Sequence, residues 1–236
     1  MGGNYVVAGG SKGIGLELVN LLRDDADQVA VYSRTTGELD VSGNVTHHVV
    51  DFTEPELNLP ELPDTIHGIA YCPGSINLRS FRSLKETDFR SDMEVNFFGA
   101  VRLLQSSMNG LKKGGSDAPA SVVLFSTVAV ATGMQMHASI AAAKGAVEGL
   151  ARSLAAEWAP KIRVNCIAPA LTETSLSEKF FASEESRQAM AAKYPLGRTG
   201  SPADQAALAQ FLMSSKSGWI TGQSFGVDGG MSTLMK

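Results

Sequence analysis

"NYVVAGGSKGIGLELVNLL", residues 4–22, decides the fold of this chain. Four apolar residues, Tyr5 to Ala8, run into the glycine pair Gly9–Gly10, and Ile14, Leu18, Leu21 and Leu22 then recur at helical spacing. A short β-rich run, a glycine turn and an amphipathic helix in immediate succession make a βα unit. Glycines at 9, 13 and 15 permit a tight turn, close approach of the backbone to a pyrophosphate, and close packing of helix on sheet. The N-terminus of the following helix offers free N–H groups and a positive dipole end to phosphates.

Working outward, similar apolar runs recur: "QVAVYS", "THHVVDF", "HGIAYCPG", "ASVVLFST", "IRVNCIAP" and "SFGVDGG". Each is short, rich in valine or isoleucine and apolar on both faces, as strands covered on both sides must be. Helical stripes lie between them: Phe97, Val101, Leu104 and Met108, then Val147, Leu150, Leu154 and Trp158. Strand–helix alternation predicts an α/β fold, a doubly wound parallel sheet of about seven strands with helices on both faces. The 52–68 segment carries Pro55, Pro60 and Pro63 and reads as an irregular crossover, and "RTTGELDVSGN" is too brief for more than about two helical turns. No repeat or linker divides the 236 residues, so one domain over 1–236 is expected.

Composition narrows the functional classes. Hydrophobic residues make up 44% and mean hydropathy is +0.01, as in a globular protein. A net charge of -4 gives no electrostatic case for nucleic acid or an anionic membrane, and no apolar run approaches the length that spans a bilayer. The first residues lack the basic and apolar regions of a signal peptide. Two cysteines, Cys72 and Cys166, at no metal or disulfide spacing predict free buried thiols and a cytoplasmic setting. No metal site is expected: His47 and His48 are strand neighbours facing opposite ways, and His67 has no partner in sequence.

Several ordered motifs then coincide. "AGGSKGIG" fits the pattern T-G-x-x-x-G-x-G with Ala8 for threonine, and "VDFT" places Asp51 after the third strand. "VNFFG" supplies Asn96, "RVNCIAPALTET" fits R-V-N-x-x-x-P-G-x-x-x-T with Ala170 for glycine, and "PLGRTGSPADQAALAQFL" and "WITGQSFGVDGG" follow. From about residue 4 to residue 231 the chain resembles the short-chain dehydrogenase/reductase family, and its C-terminal portion is similar to the acyl-carrier-protein ketoreductase branch. That resemblance implies a nicotinamide dinucleotide held by Gly9, Ser11, Lys12, Gly13, Ile14 and Gly15, by Ser33 and Arg34 after the second strand, and by Asp51, Phe52, Cys72 and Gly74. Asn96, Lys144, Pro169, Thr172 and Thr174 complete the implied set. An acidic residue closing the second strand would repel a 2′-phosphate. Ser33 and Arg34 stand there instead, with Lys12 in the glycine turn, so NADP(H) is the expected cofactor.

By the same resemblance, catalysis needs asparagine, serine, tyrosine and lysine, with the tyrosine four residues before the lysine and the serine thirteen before the tyrosine. Counting back through "MHASIAAAKGAVEGL" from Lys144 gives Ile140 at the tyrosine position and Thr127 at the serine position, while Asn96 and Lys144 are in place. Isoleucine donates no proton, and a positioned acid is worth roughly 10²- to 10⁴-fold in rate. His137 shares the helix face of Ile140 and Lys144 by spacing and offers an imidazole one turn away. Residues 173–198 carry Leu176, Phe180, Phe181 and Met190 and are expected to form a substrate lid. Three readings stand at this stage: an oxidoreductase of altered chemistry acting on a small, hydrophobic or acyl substrate, an inactive cofactor-binding scaffold or sensor, and an interaction protein without cofactor. The helices around Asn96–Met108 and Ile140–Trp158 are expected to join copies of the chain into a homodimer or homotetramer, with Ala141, Ala142, Gly145, Ala146 and Gly149 permitting close approach.

Overall fold

The computed structural model describes residues 2–235 apart from 56 and 58. Strands β1 (Asn4–Ala8), β2 (Gln28–Ser33), β3 (Val45–Val49), β4 (Gly68–Tyr71), β5 (Ala120–Phe125), β6 (Ile162–Pro169) and β7 (Ser224–Val227) form one sheet. Its order is β3-β2-β1-β4-β5-β6-β7 and every pairing is parallel. All seven expected strands are therefore present. The order reverses between β1 and β4, which opens a crevice at the carboxyl ends of the strands where such sheets hold ligands.

Alternate residues of β1 feed two cores. Val6 and Ala8 pack under α3 (Gly99–Gly114) and α5 (Ala138–Trp158), while Tyr5 and Val7 pack under α1 (Gly13–Arg23) and α7 (Pro202–Met213). The central strands are buried on both faces, as their apolar runs require. The edges differ: β3 is half-buried from Thr46 to His48 and exposed at Val49, and β7 alternates exposed and half-buried residues, because among the described residues no further strand pairs with those margins. Helix α5 also departs from expectation. Its buried face runs through Ile140, Ala143, Lys144, Val147, Ala151 and Ala155, one position off the Leu150–Leu154–Trp158 stripe, which is only half-buried. No helix forms within 34–44 or among the described residues of the proline-rich crossover.

Two local features position the site. In the first turn Gly9 adopts φ +73°, a conformation that side chains rarely take, and a Cβ on Gly15 would lie 2.3 Å from the Gly9 carbonyl oxygen. Glycine at 15 is what lets α1 start directly against the turn. The second feature interrupts the helix that follows the Phe81–Ser83 turn. Between α2 (Glu86–Met93) and α3 lies a single π turn, Glu94–Phe98. It presses on the sheet through Tyr71, whose hydroxyl donates to the Val95 carbonyl at 2.7 Å, and Gly99 lies so close that a Cβ there would meet the same hydroxyl at 2.2 Å. Asn96 sits inside this turn, where π geometry is often tied to function.

Candidate active site

A cavity of about 350 Å³ lies at the carboxyl ends of β4, β5 and β6. Of the residues anticipated from sequence, Ile14, Cys72, Gly74, Thr127, His137, Ile140, Lys144, Pro169, Thr172 and Thr174 line it. The glycine turn and Ser33–Arg34 lie along the same carboxyl edge, after β1 and β2. Lys12 is the extended residue before α1, and its side-chain carbons lie beside Gly37 in the loop that follows Arg34. Ser33 donates to the Thr35 carbonyl at 2.9 Å and contacts His47 Nε2 at 2.9 Å. Asp51 accepts from the Thr53 backbone N–H and hydroxyl, which hold its carboxyl below the usual range. Ser11 is buried beside the turn.

Two anticipated residues sit differently. The Phe52 ring is 4% exposed and packs edge-on to Tyr71, so it belongs to the core beneath α3 rather than to the cleft. Cys72 is half-buried on the cavity wall rather than sealed in the interior; only Cys166 is buried, and neither forms a disulfide.

Beneath the cavity lies its polar floor. Lys144 is 7% exposed and Nζ donates to the Phe125 carbonyl at 2.8 Å. Burial pulls its pKa from 10.5 down to about 8. Asn96 Nδ2 donates to the Asp92 carbonyl (2.8 Å) and to Ser75 Oγ (2.9 Å), while Oδ1 has no partner among the described residues. A Cβ on Gly74 would fall 3.3 Å from that bare oxygen and 3.6 Å from Lys144 Nζ, so glycine keeps open a small polar cradle between them. Thr127 follows β5. Ser126 and Thr127 both line the cavity, but the Ser126 hydroxyl donates to Glu148 at 2.6 Å, so among the described residues Thr127 is the one of the two whose proton is uncommitted.

Four residues before Lys144, the Ile140 side chain is 5% exposed and forms apolar wall. His137 precedes the first turn of α5 and also borders the cavity; its Nδ1 lies 2.7 Å from the Gln135 carbonyl, which commits that nitrogen's proton. Opposite, residues 173–198 fold as a short turn (Glu178–Phe181) and α6 (Glu184–Ala191). Leu176, Phe180, Met190 and Tyr194 of this segment line the cavity, while Phe181 is buried under Arg187. The segment is tied at its base by Glu173, which pairs with Arg187 and accepts from the Thr199 hydroxyl at 2.6 Å. Sequence reading passed over Ser75, Asp92, Lys193 and Met231. Only Asp92 left a signal, standing four residues before Asn96 and so on its helix face.

An all-parallel sheet reversed at its centre, with a glycine turn opening its first helix and a buried Asn–Lys pair under the cleft, defines a Rossmann-fold protein. The family profile described as Enoyl-(Acyl carrier protein) reductase matches residues 12–232. A tropinone reductase homolog of Arabidopsis thaliana is 32% identical, covering 97% of this chain and 92% of its own length. A Xanthobacter autotrophicus protein named inactive 2-(S)-hydroxypropyl-CoM dehydrogenase 2 is 36% identical over 60% of this chain and 63% of its own. Among solved structures, an Agrobacterium tumefaciens protein provisionally named a 2-deoxy-d-gluconate 3-dehydrogenase, with NADP bound, superposes with a TM-score of 0.87 at 28% identity, covering 98% of this chain and 96% of that one. The chain belongs to the short-chain dehydrogenase/reductase family. Among the described residues no helix is long and apolar enough to cross a membrane, and no group of histidine, cysteine and carboxylate residues could hold a metal ion.

Proposed function

We propose that this chain is an NADP(H)-dependent oxidoreductase acting on a small, largely apolar carbonyl or enoyl compound. The observation that carries the reading is the cradle at Gly74, where Asn96 Oδ1 lacks a donor among the described residues and Lys144 Nζ faces the same gap at the cavity floor. A ribose hydroxyl donating to the one and accepting from the other would satisfy both. The glycine turn and the start of α1 suit the pyrophosphate, and Arg34 and Lys12 suit a 2′-phosphate, with no carboxylate closing β2 to oppose it. When bound, the dinucleotide supplies or accepts hydride. Thr127 holds the substrate oxygen, Lys144 fixes the ribose, and Ile140 gives an apolar wall where the resemblance places a phenol. Leu176, Phe180 and Met190 form a lid suited to a hydrocarbon or acyl group, with Lys193 at its margin.

The test is a titration with NADPH and NADH, followed by turnover of ketone, ketoacyl and enoyl substrates. NADPH is expected to bind tighter, and Arg34→Asp to reverse the order. Equal affinity for both in the unmutated protein would overturn the cofactor assignment. Ile140 also supports a second reading, a cofactor-binding homologue without turnover, in keeping with a relative that carries the word inactive in its name. Tight NADPH binding with no turnover on any of the three substrate classes would favour it.

A further inference from the structure

Below the cavity, Ser75 and Asp92 form a pair that the proposed chemistry above leaves unused. Asp92 is 2% exposed, yet among the described residues no cation lies within ion-pair distance of it. Its Oδ1 accepts the Ser75 hydroxyl at 2.6 Å, and its Oδ2 is buried with no hydrogen-bond partner among the described residues. Ser75 borders the cavity shared by Thr127, Ile140 and Lys144. The same corner holds another polar atom without a partner among the described residues, Oδ1 of Asn96, whose Nδ2 donates to Ser75. Buried oxygens without donors are costly, and a proton on the carboxyl or a trapped water removes that cost.

We propose that Ser75 and Asp92 are the proton-exchanging pair of this site, Ser75 meeting the substrate and Asp92 storing the proton behind it. This rests on the oxidoreductase reading. The hydrogen-bond pattern allows two states. A serine hydroxyl has one hydrogen and two lone pairs. Asn96 Nδ2 occupies one lone pair. With Asp92 ionised, the Ser75 hydrogen points at Asp92. With Asp92 protonated, the carboxyl hydrogen takes the second lone pair and the Ser75 hydrogen turns to the cavity.

Reduction then balances as follows. The substrate carbon receives hydride, and the C–O π electron pair localises on oxygen. That oxygen takes the Ser75 proton, Ser75 takes the proton of Asp92, and the carboxylate regains a proton from bulk solvent, relayed by water and Ser75 after product leaves. Oxidation runs the same steps backwards, with Asp92 as the final base. The charged group facing this corner from α5 is Lys144. On α2 itself, Asp88 is taken up by the Lys85 N–H at 2.8 Å and by Arg79 at 3.7 Å. In the π turn Glu94 is paired with Arg102. In the loop after β4 the Cys72 thiol is kept neutral by burial, pushed up to about 12.

Infrared difference spectra against pH, on wild type, Asp92→Asn and Ser75→Ala, test the pair without turnover. A protonated-carboxyl stretch that titrates in wild type, vanishes in Asp92→Asn and shifts in Ser75→Ala is the expected result. Absence of any band that distinguishes wild type from Asp92→Asn, wherever the protein is folded, overturns the proposal. In kinetics, Asp92→Asn and Ser75→Ala should each lower kcat at least about tenfold with KM little changed, and Asp92→Asn should flatten the pH profile. An unchanged kcat and profile in Asp92→Asn also overturns it. Should the wild type bind no NADP(H), the oxidoreductase reading fails, and the carboxyl band alone decides whether Asp92 holds an exchangeable proton.

Discussion

Lys144 is a site residue whose protonation the fold controls through burial. Burial lowers its folded-state pKa to about 8 against 10.5 for an ordinary lysine. Between those values the unfolded chain binds the proton more tightly, so this group's contribution to stability rises with pH across that window. Lys144→Met keeps the apolar stem and removes the charge. It should stabilise the fold at pH 7 by on the order of 3 kcal/mol at most, read as a raised thermal midpoint, with the gain fading as pH approaches 10.5. The same variant should lose at least about tenfold in NADPH affinity, because a charged hydrogen-bond donor at the ribose is gone. A midpoint that falls at pH 7 would refute the burial argument. Ile140 is the second decisive residue. Ile140→Tyr puts a phenol into the cavity above Lys144, and ketone reduction should rise at least about tenfold. The gain should persist in the double variant with Asp92→Asn, since the phenol would act independently of the buried carboxyl. The positions of Lys144 and Ile140 on the cavity and of Asn96 beneath it were legible, because each sits in a motif of fixed spacing. The Ser75–Asp92 pair was not, since it joins residues 17 apart across two elements and no periodicity links a loop serine to a helix aspartate.

The turn between β1 and α1 is the element on which the cofactor assignment leans. Gly15→Ala would set a Cβ against the Gly9 carbonyl oxygen at 2.3 Å, a clash with backbone that no rotamer relieves. The turn must open, costing roughly 1–3 kcal/mol as overpacking does, and NADPH affinity should drop with it. Thermal unfolding and cofactor titration read the two effects separately; unchanged values in both would mean that α1 does not depend on close approach. Elements read well from sequence where burial dictated composition. All seven strands announced themselves as valine- and isoleucine-rich runs, and the proline-rich crossover declared its lack of helix. The face of α5 was misplaced because alanines carry that buried side, so its larger leucines and Trp158 drew attention to the half-buried one. The π turn left no trace, since a shifted hydrogen-bond ladder needs no particular residue type.

As a whole, the molecule keeps a face uncommitted. Ala142 is exposed, Ala141, Gly145, Ala146 and Gly149 are half-buried, and a Cβ on Gly149 would meet nothing within 4 Å. Phe98, 43% exposed at the entry to α3, lies on the other helix expected at the same contact. We take these helices as the contact between copies, and sedimentation at micromolar concentration should give a dimer or tetramer; a monomer there would count decisively against it. The helical run from residue 86 to 114 also behaves like a shaft with a fixed phase offset. Each residue turns an α-helix by about 100°, so the extra residue in the π turn sets the angular relation between its two halves. The first half, α2, carries Asp92 to its place behind Ser75, while the other beds Leu103, Leu104 and Leu111 in the core. Loss of one residue between 94 and 98 would leave both halves helical and swing the first out of alignment. In this stretch, chain length counts for as much as side-chain identity.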